Sequence, residues 1–142
     1  MAAGPTVKEL LQAYPDQIRL VIKNYPYKYR DFSKIAAEAS LAARDQGKYW
    51  EMHDILITRS PKLDRASLIA YAGELGLDVK KFTEALDSGR HAKAIEDDLQ
   101  LAEAMDLYNT PTFYINGRQV IGERPYAYFK RIIDEELQKA GR

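Results

Sequence analysis

LYNTPTFYINGRQVIG, residues 107–122, is the stretch on which the reading of this chain turns. Asn116-Gly117 lies between two short runs rich in aromatic and β-branched residues, Thr112–Ile115 and Gln119–Ile121. Both central residues of a two-residue hairpin turn need positive φ, which Asn and Gly tolerate best, so the spacing predicts a β-hairpin. Immediately before it Pro111 sits between Thr110 and Thr112, a composition that belongs to a loop and not to a strand interior. Spacing alone leaves the proline open to two readings: an ordinary trans loop proline, or a cis proline in a functional loop.

Working outward, the hairpin is preceded by a block of helical patterns. Residues 31–47 put Ile35, Ala36, Ala39, Ala42 and Ala43 on one stripe, as in a helix packed closely on a neighbour. Lys48–Thr58 carries Trp50 and the Ile55-Leu56-Ile57 cluster and ends at Ser60-Pro61. Asp64 is placed to cap a helix with Leu68, Ile69, Ala72 and Leu75 that stops at Gly76. Asp78 is placed to cap one with Val79, Phe82 and Leu86 that stops at Gly89. A further helix spans about 92–105, and the chain closes on one from Pro125 to Lys139 with Phe129, Ile132, Ile133 and Leu137 on its inner face. Upstream, Pro5–Ala13 has a proline in its first turn and Val7, Leu10 and Leu11 on one face. Tyr14-Pro15-Asp16 ends it, and Ile18–Lys23 (IRLVIK) reads as a buried strand.

The composition bounds the function. A chain of 142 residues suits one domain with a real core. With 46% hydrophobic and 30% charged residues and no long apolar run, it reads as a folded protein that does not insert in a membrane. Twenty-one basic residues balance twenty-one acidic ones, so no global field draws it to nucleic acid. There is no cysteine, which removes disulfides, thiolate metal ligands and thiol catalysis from these residues. MAAGPTVKEL shows neither the basic start nor the apolar stretch of an export signal.

One apolar strand and one hairpin make a thin sheet for so many helices. A run such as LVI needs strand neighbours on its edges, so a further strand upstream of Met1 is expected to complete a β-α-β unit. The segments PTVKELLQAYPDQIRLVIKNYP (5–26), KIAAEASLAARDQGKYWEMHDIL (34–56), LDRASLIAYAGELGLDVKKFTEALDSG (63–89) and NTPTFYINGRQVIGERPYAYFKRIIDEEL (109–137) resemble consecutive pieces of a DsbA-like thiol-disulfide oxidoreductase. The resemblance implies an α/β fold: an incomplete thioredoxin-like domain over residues 1–142. A helical insertion at about 31–107 would lie between thioredoxin-like halves at 1–30 and 108–142, with the first central strand missing.

In that family the proline of Thr110-Pro111-Thr112 is cis and lies beside a redox Cys-x-x-Cys at the start of the helix that here begins near Gly4-Pro5. The resemblance therefore implies that the strand and cysteine pair lie upstream of Met1 or do not exist, and that the chain alone is inactive in disulfide exchange. Asn109, Thr110 and Pro111 become the candidate contacts for an extended protein or peptide substrate, with no cofactor and no metal. The parent family works outside the cytoplasm. Two alternatives stay open: a non-catalytic peptide-binding or chaperone-like module, and a relative of kappa-class glutathione transferases or hydroxychromene carboxylate isomerases. Removing a central strand would leave two open edges, so a homo-oligomer, with segments exchanged between copies, is expected.

Other clusters carry blander readings. His53 and His91 lack metal-ligand spacing. The NYPYKYR loop, 24–30, interleaves tyrosines with Lys28 and Arg30 in the manner of a single-strand nucleic-acid surface, but reads better as a loop covering a sheet edge. Glu96-Asp97-Asp98 reads as a solvated helix face. Glu123 and Arg124, after the hairpin, fit either a plain surface or the wall of a peptide groove.

Overall fold

The computed structural model describes residues 3–141. The described elements run α1 (Ala3–Ala13), α2 (Ser33–Arg44), α3 (Tyr49–Thr58), α4 (Arg65–Glu74), α5 (Val79–Asp87), α6 (Ala92–Ala104), β1 (Thr112–Ile115), β2 (Arg118–Ile121) and α7 (Tyr126–Lys139). They fall into two compact units, Met1–Ile22 with Asp106–Arg142, and Lys23–Met105.

The helical unit is organised around α2, which packs against α3, α4, α5 and α6. Its short side chains permit this: Ala36, Ala39, Ala42 and Ala43 are all buried, and small residues let neighbouring helices approach closely. Large side chains from those neighbours fill the remaining space, with Phe82 of α5, Met52 of α3 and Leu68 of α4 completely buried in one cluster. The two short helices start where the sequence signals placed them. The Asp64 carboxylate accepts the Ser67 N–H at 3.1 Å, and the Asp78 carboxylate accepts the Lys81 N–H at 3.1 Å. Gly76 and Gly89 end them with φ of 71° and 62°.

The other unit joins α1, the hairpin and α7. Asn116 and Gly117 take φ of 48° and 85°, the pair of left-handed residues that a two-residue turn requires. The ladder then pairs Ile115 with Arg118, Tyr114 with Gln119, Phe113 with Val120 and Thr112 with Ile121. Opposed residues share a face, so Phe113 and Val120 point together into a core with Phe129, Ile132 and Ile133 of α7 and Leu10 of α1. The Phe113 and Phe129 rings meet edge to face at 4.9 Å.

Ile18–Lys23 is a correction to the sequence reading. Among the described residues it joins no ladder, and the sheet consists of β1 and β2 alone. Its burial still alternates with a period of two: Ile18, Leu20 and Ile22 are half-buried, while Arg19, Val21 and Lys23 are exposed. Val21 is 60% exposed, so the run covers one face and is not enclosed on both. An apolar run becomes a strand only when a neighbour takes its backbone groups; without one, only the sidedness survives.

Candidate functional site

The loop between α6 and β1 is built to hold its backbone in one place. Asp106 turns the chain out of α6 with φ of 53°, and Tyr108 stands 75% exposed. The Thr112 hydroxyl donates to the Asn109 carbonyl at 2.7 Å, closing a turn around Thr110 and Pro111. At the base of this turn the Gly122 N–H donates to the Pro111 carbonyl at 2.8 Å, which extends the hairpin ladder by one pair. The Thr110–Pro111 peptide bond is cis, as is Ser60–Pro61 in the helical unit. Asn109 and Thr110 are exposed, and Pro111 is half-buried.

The three residues singled out from sequence thus form one corner, exposed at Asn109 and Thr110, anchored to a hairpin whose Phe113 and Val120 face the core. Thr112, whose hydroxyl closes the turn, was not singled out; a threonine that can reach back to a carbonyl three residues earlier is its legible signal.

Behind the hairpin, two polar clusters brace the unit. The Tyr14 hydroxyl donates to the Asp134 carboxylate, which also accepts from the Lys130 ammonium at 2.6 Å, tying α1 to α7. Arg118 reaches across to Glu135 and Glu136, tying β2 to α7. The Lys130 and Tyr14 hydrogen bonds hold the Asp134 carboxyl below the usual carboxylate range, because they favour its charged form. Burial, and then the bond to Asp134, push the Tyr14 phenol above its ordinary value.

A lowered carboxyl contributes stability above its unfolded pKa, about 4, and loses it as pH falls through the folded value. A raised phenol contributes below its unfolded pKa, about 10, and loses it as pH rises through the folded value. Tyr14→Phe is therefore expected to lower the thermal midpoint most between those limits, with the gap from the parent narrowing on acidification below about pH 4. Melts of both proteins across that range check it; a gap independent of pH overturns the role given to this cluster. Lys130 and Asp134 are each about half exposed, so salt should weaken the effect.

Elsewhere, His53 lies against the rings of Tyr49 and Trp50, with its Nδ1 buried and unbonded; Asp54 Oδ1, at 3.8 Å, is beyond hydrogen-bond reach. His91 Nε2 meets Asp45 Oδ2 at 2.7 Å. Among the described residues no group of three or more potential ligands is arranged to hold a metal ion. No helix among them is long and apolar enough to cross a membrane. The acidic run needs a correction: Asp98 is no solvated residue, because its carboxylate accepts from the Asn24 N–H at 2.8 Å, the Asn24 amide at 3.2 Å and the Lys23 ammonium at 3.0 Å.

This arrangement has relatives. Residues 2–135 match the family model described as Thioredoxin. A thioredoxin-like oxidoreductase from Silicibacter pomeroyi DSS-3 superposes with a TM-score of 0.85 at 28% identity, over 96% of this chain and 78% of that one. The thiol-disulfide exchange protein alpha-DsbA2 from Wolbachia pipientis superposes with a TM-score of 0.82 at 19% identity, over 94% and 73%, a likeness of fold. Among curated proteins, the chain is 41% identical over 118 residues to a Na(+)/H(+) antiporter NhaA 1 of Salinispora arenicola (strain CNS-205), covering 82% of this chain and 18% of that protein. It is 37% identical over 134 residues to a Na(+)/H(+) antiporter NhaA of Herminiimonas arsenicoxydans, covering 94% and 21%. The chain spans about a fifth of the curated relatives it matches. A hairpin entered through Thr-Pro-Thr, flanked by α1 and α7 and preceded by a unit of five helices, is a DsbA-like thioredoxin fold, and the chain belongs to the thioredoxin family.

Proposed function

We propose that this chain supplies the polypeptide-binding surface of a thiol-disulfide exchange domain, with Asn109, Thr110 and Pro111 receiving the backbone of an extended protein substrate. The observation that carries this reading is the doubly anchored corner: Thr112 and Gly122 hold Asn109 and Pro111 by hydrogen bonds, and Asn109 and Thr110 are exposed. Fixed backbone groups at an exposed corner suit recognition of an extended chain, whose own backbone offers the matching donors and acceptors.

Disulfide exchange itself needs a thiolate to attack and a thiol to leave. These 142 residues contain neither, so they bind without exchanging. The similarity to an oxidoreductase of 28% identity supports exchange as the chemistry of the wider domain. Protein disulfides persist in oxidising compartments, which favours a place outside the cytoplasm.

The test is an NMR titration of the chain with a disordered, cysteine-free peptide. Amide shifts centred on residues 109–112 are expected, and Thr110→Arg should weaken binding about tenfold with an unchanged melting midpoint. In a dithiothreitol-driven insulin reduction assay the chain should give the rate of buffer alone. Shifts that avoid this loop, or catalysed reduction, would overturn the reading.

A further inference from the structure

A cleft of about 580 Å³ opens in the helical unit between the 26–32 loop, α2 and α6. Its apolar walls are Tyr27, Phe32, Ile35, Ile95 and Leu99. Phe32 is 47% exposed and holds a φ of 66°, a left-handed conformation that is rare for a bulky residue. Asp98, through its three bonds to Lys23 and Asn24, ties the start of this loop to α6, so the wall is fixed before any ligand arrives.

Glu38 lines the same cleft with only 8% of its surface exposed. None of the hydrogen bonds or ion pairs formed by the described residues involves it. Its oxygens are not sealed off, because among the described residues the one fully enclosed side-chain polar atom lacking a bond is Nδ1 of His53. As Glu38 is otherwise buried and lines the cleft, the cleft is the open side available to its carboxylate. A carboxylate this buried is ordinarily paired, and what would complete it is a cation on an apolar stem. The exposed mouth, in contrast, carries three cations, Lys28, Arg30 and Lys34, against one acid, Glu96, with Arg30 over the Tyr27 ring at 5.7 Å. A strongly basic ligand would meet repulsion there, whereas one with an acidic group next to its cation would find a partner for each.

We propose that this cleft is a subsite for a polypeptide segment in which a lysine or arginine is flanked by acidic residues. The cation would meet Glu38, its stem would lie on Phe32, Ile35 and Leu99, and the acidic neighbours would meet Lys28, Arg30 and Lys34. The inference rests on the reading of the chain as a polypeptide binder, and adds a preference for sequence to it.

Amide NMR titration with the capped peptide Ala-Glu-Lys-Glu-Ala tests it, against the same peptide with norleucine for lysine and against n-butylamine. Shifts at Phe32, Glu38 and Leu99 are expected with the lysine peptide. Norleucine, or Glu38→Gln in the protein, should weaken them at least tenfold, with the circular dichroism spectrum of the variant unchanged. The norleucine comparison needs no variant, so it decides the matter even if Glu38→Gln disturbs the fold. Equal binding of the norleucine peptide overturns the proposal, and so does butylamine binding as tightly as the peptide. Shifts confined to residues 109–112 also overturn it, while leaving the substrate loop intact as a separate finding.

Discussion

Phe82→Ala is expected to destabilise the helical unit by roughly 3–5 kcal/mol, the cost of removing a fully buried aromatic ring from a core that only partly collapses around the gap. The expectation is this large because of what surrounds the ring. The fully buried members that α2 gives to this cluster are Ala39, Ala42 and Ala43, and an alanine cannot move a longer side chain into the space. Domains of this size have about 5–15 kcal/mol of stability in all, so the variant loses a large part of it. The thermal midpoint should fall by roughly 12 °C or more for a unit of this length. Hydrogen exchange locates the effect: protection of α2 and α5 amides should drop. Phe82→Leu, which retains most of the apolar volume, should recover the greater part. A loss below about 1 kcal/mol would mean that the cluster around α2 repacks and that Phe82 is not its keystone.

That cluster also shows which parts of the fold are legible in the sequence. Alanines at helical spacing in 31–47, aspartates three residues ahead of first-turn amides and glycines past the last turn all act within a few residues, and each landed where expected. The Asn-Gly turn is equally local. Ile18–Lys23 failed because a strand is a relation between two segments, and its composition says nothing about whether a partner is present. Asp98 failed for a related reason: Glu96-Asp97-Asp98 looks like any solvated acidic turn until the chain returns Asn24, 74 residues away, to its carboxylate. The Tyr14–Asp134 bond spans 120 residues and left no trace in either local sequence. The exposed corner at 109–111 was singled out by resemblance, since spacing alone left Pro111 undecided; the hydroxyl of Thr112 that braces it follows from ordinary turn chemistry.

We propose that the chain self-associates through its unpaired backbone edges, and the expected result is an average mass above that of the monomer that rises with concentration in sedimentation velocity. The register shows which groups are responsible. In a two-residue hairpin Ile115 bonds with Arg118 and Phe113 with Val120, so the N–H and C=O of Thr112 and Tyr114 point away from β2. Among the described residues no strand receives them. Ile18–Lys23 offers a second unpaired run with Val21 on its exposed face. An open edge beside apolar side chains is a template for pairing with another copy, and an exchanged 18–22 segment laid along β1 would satisfy both at once. Charge on the edge is the natural remedy, so Val21→Lys combined with Tyr114→Lys should shift the distribution toward monomer without loss of helix signal, as both side chains are exposed. If the parent chain instead sediments as a monomer at every concentration and melts cooperatively, a lone two-stranded sheet packed on α1 and α7 suffices for this unit. The edges would then be protected by their own twist and short length.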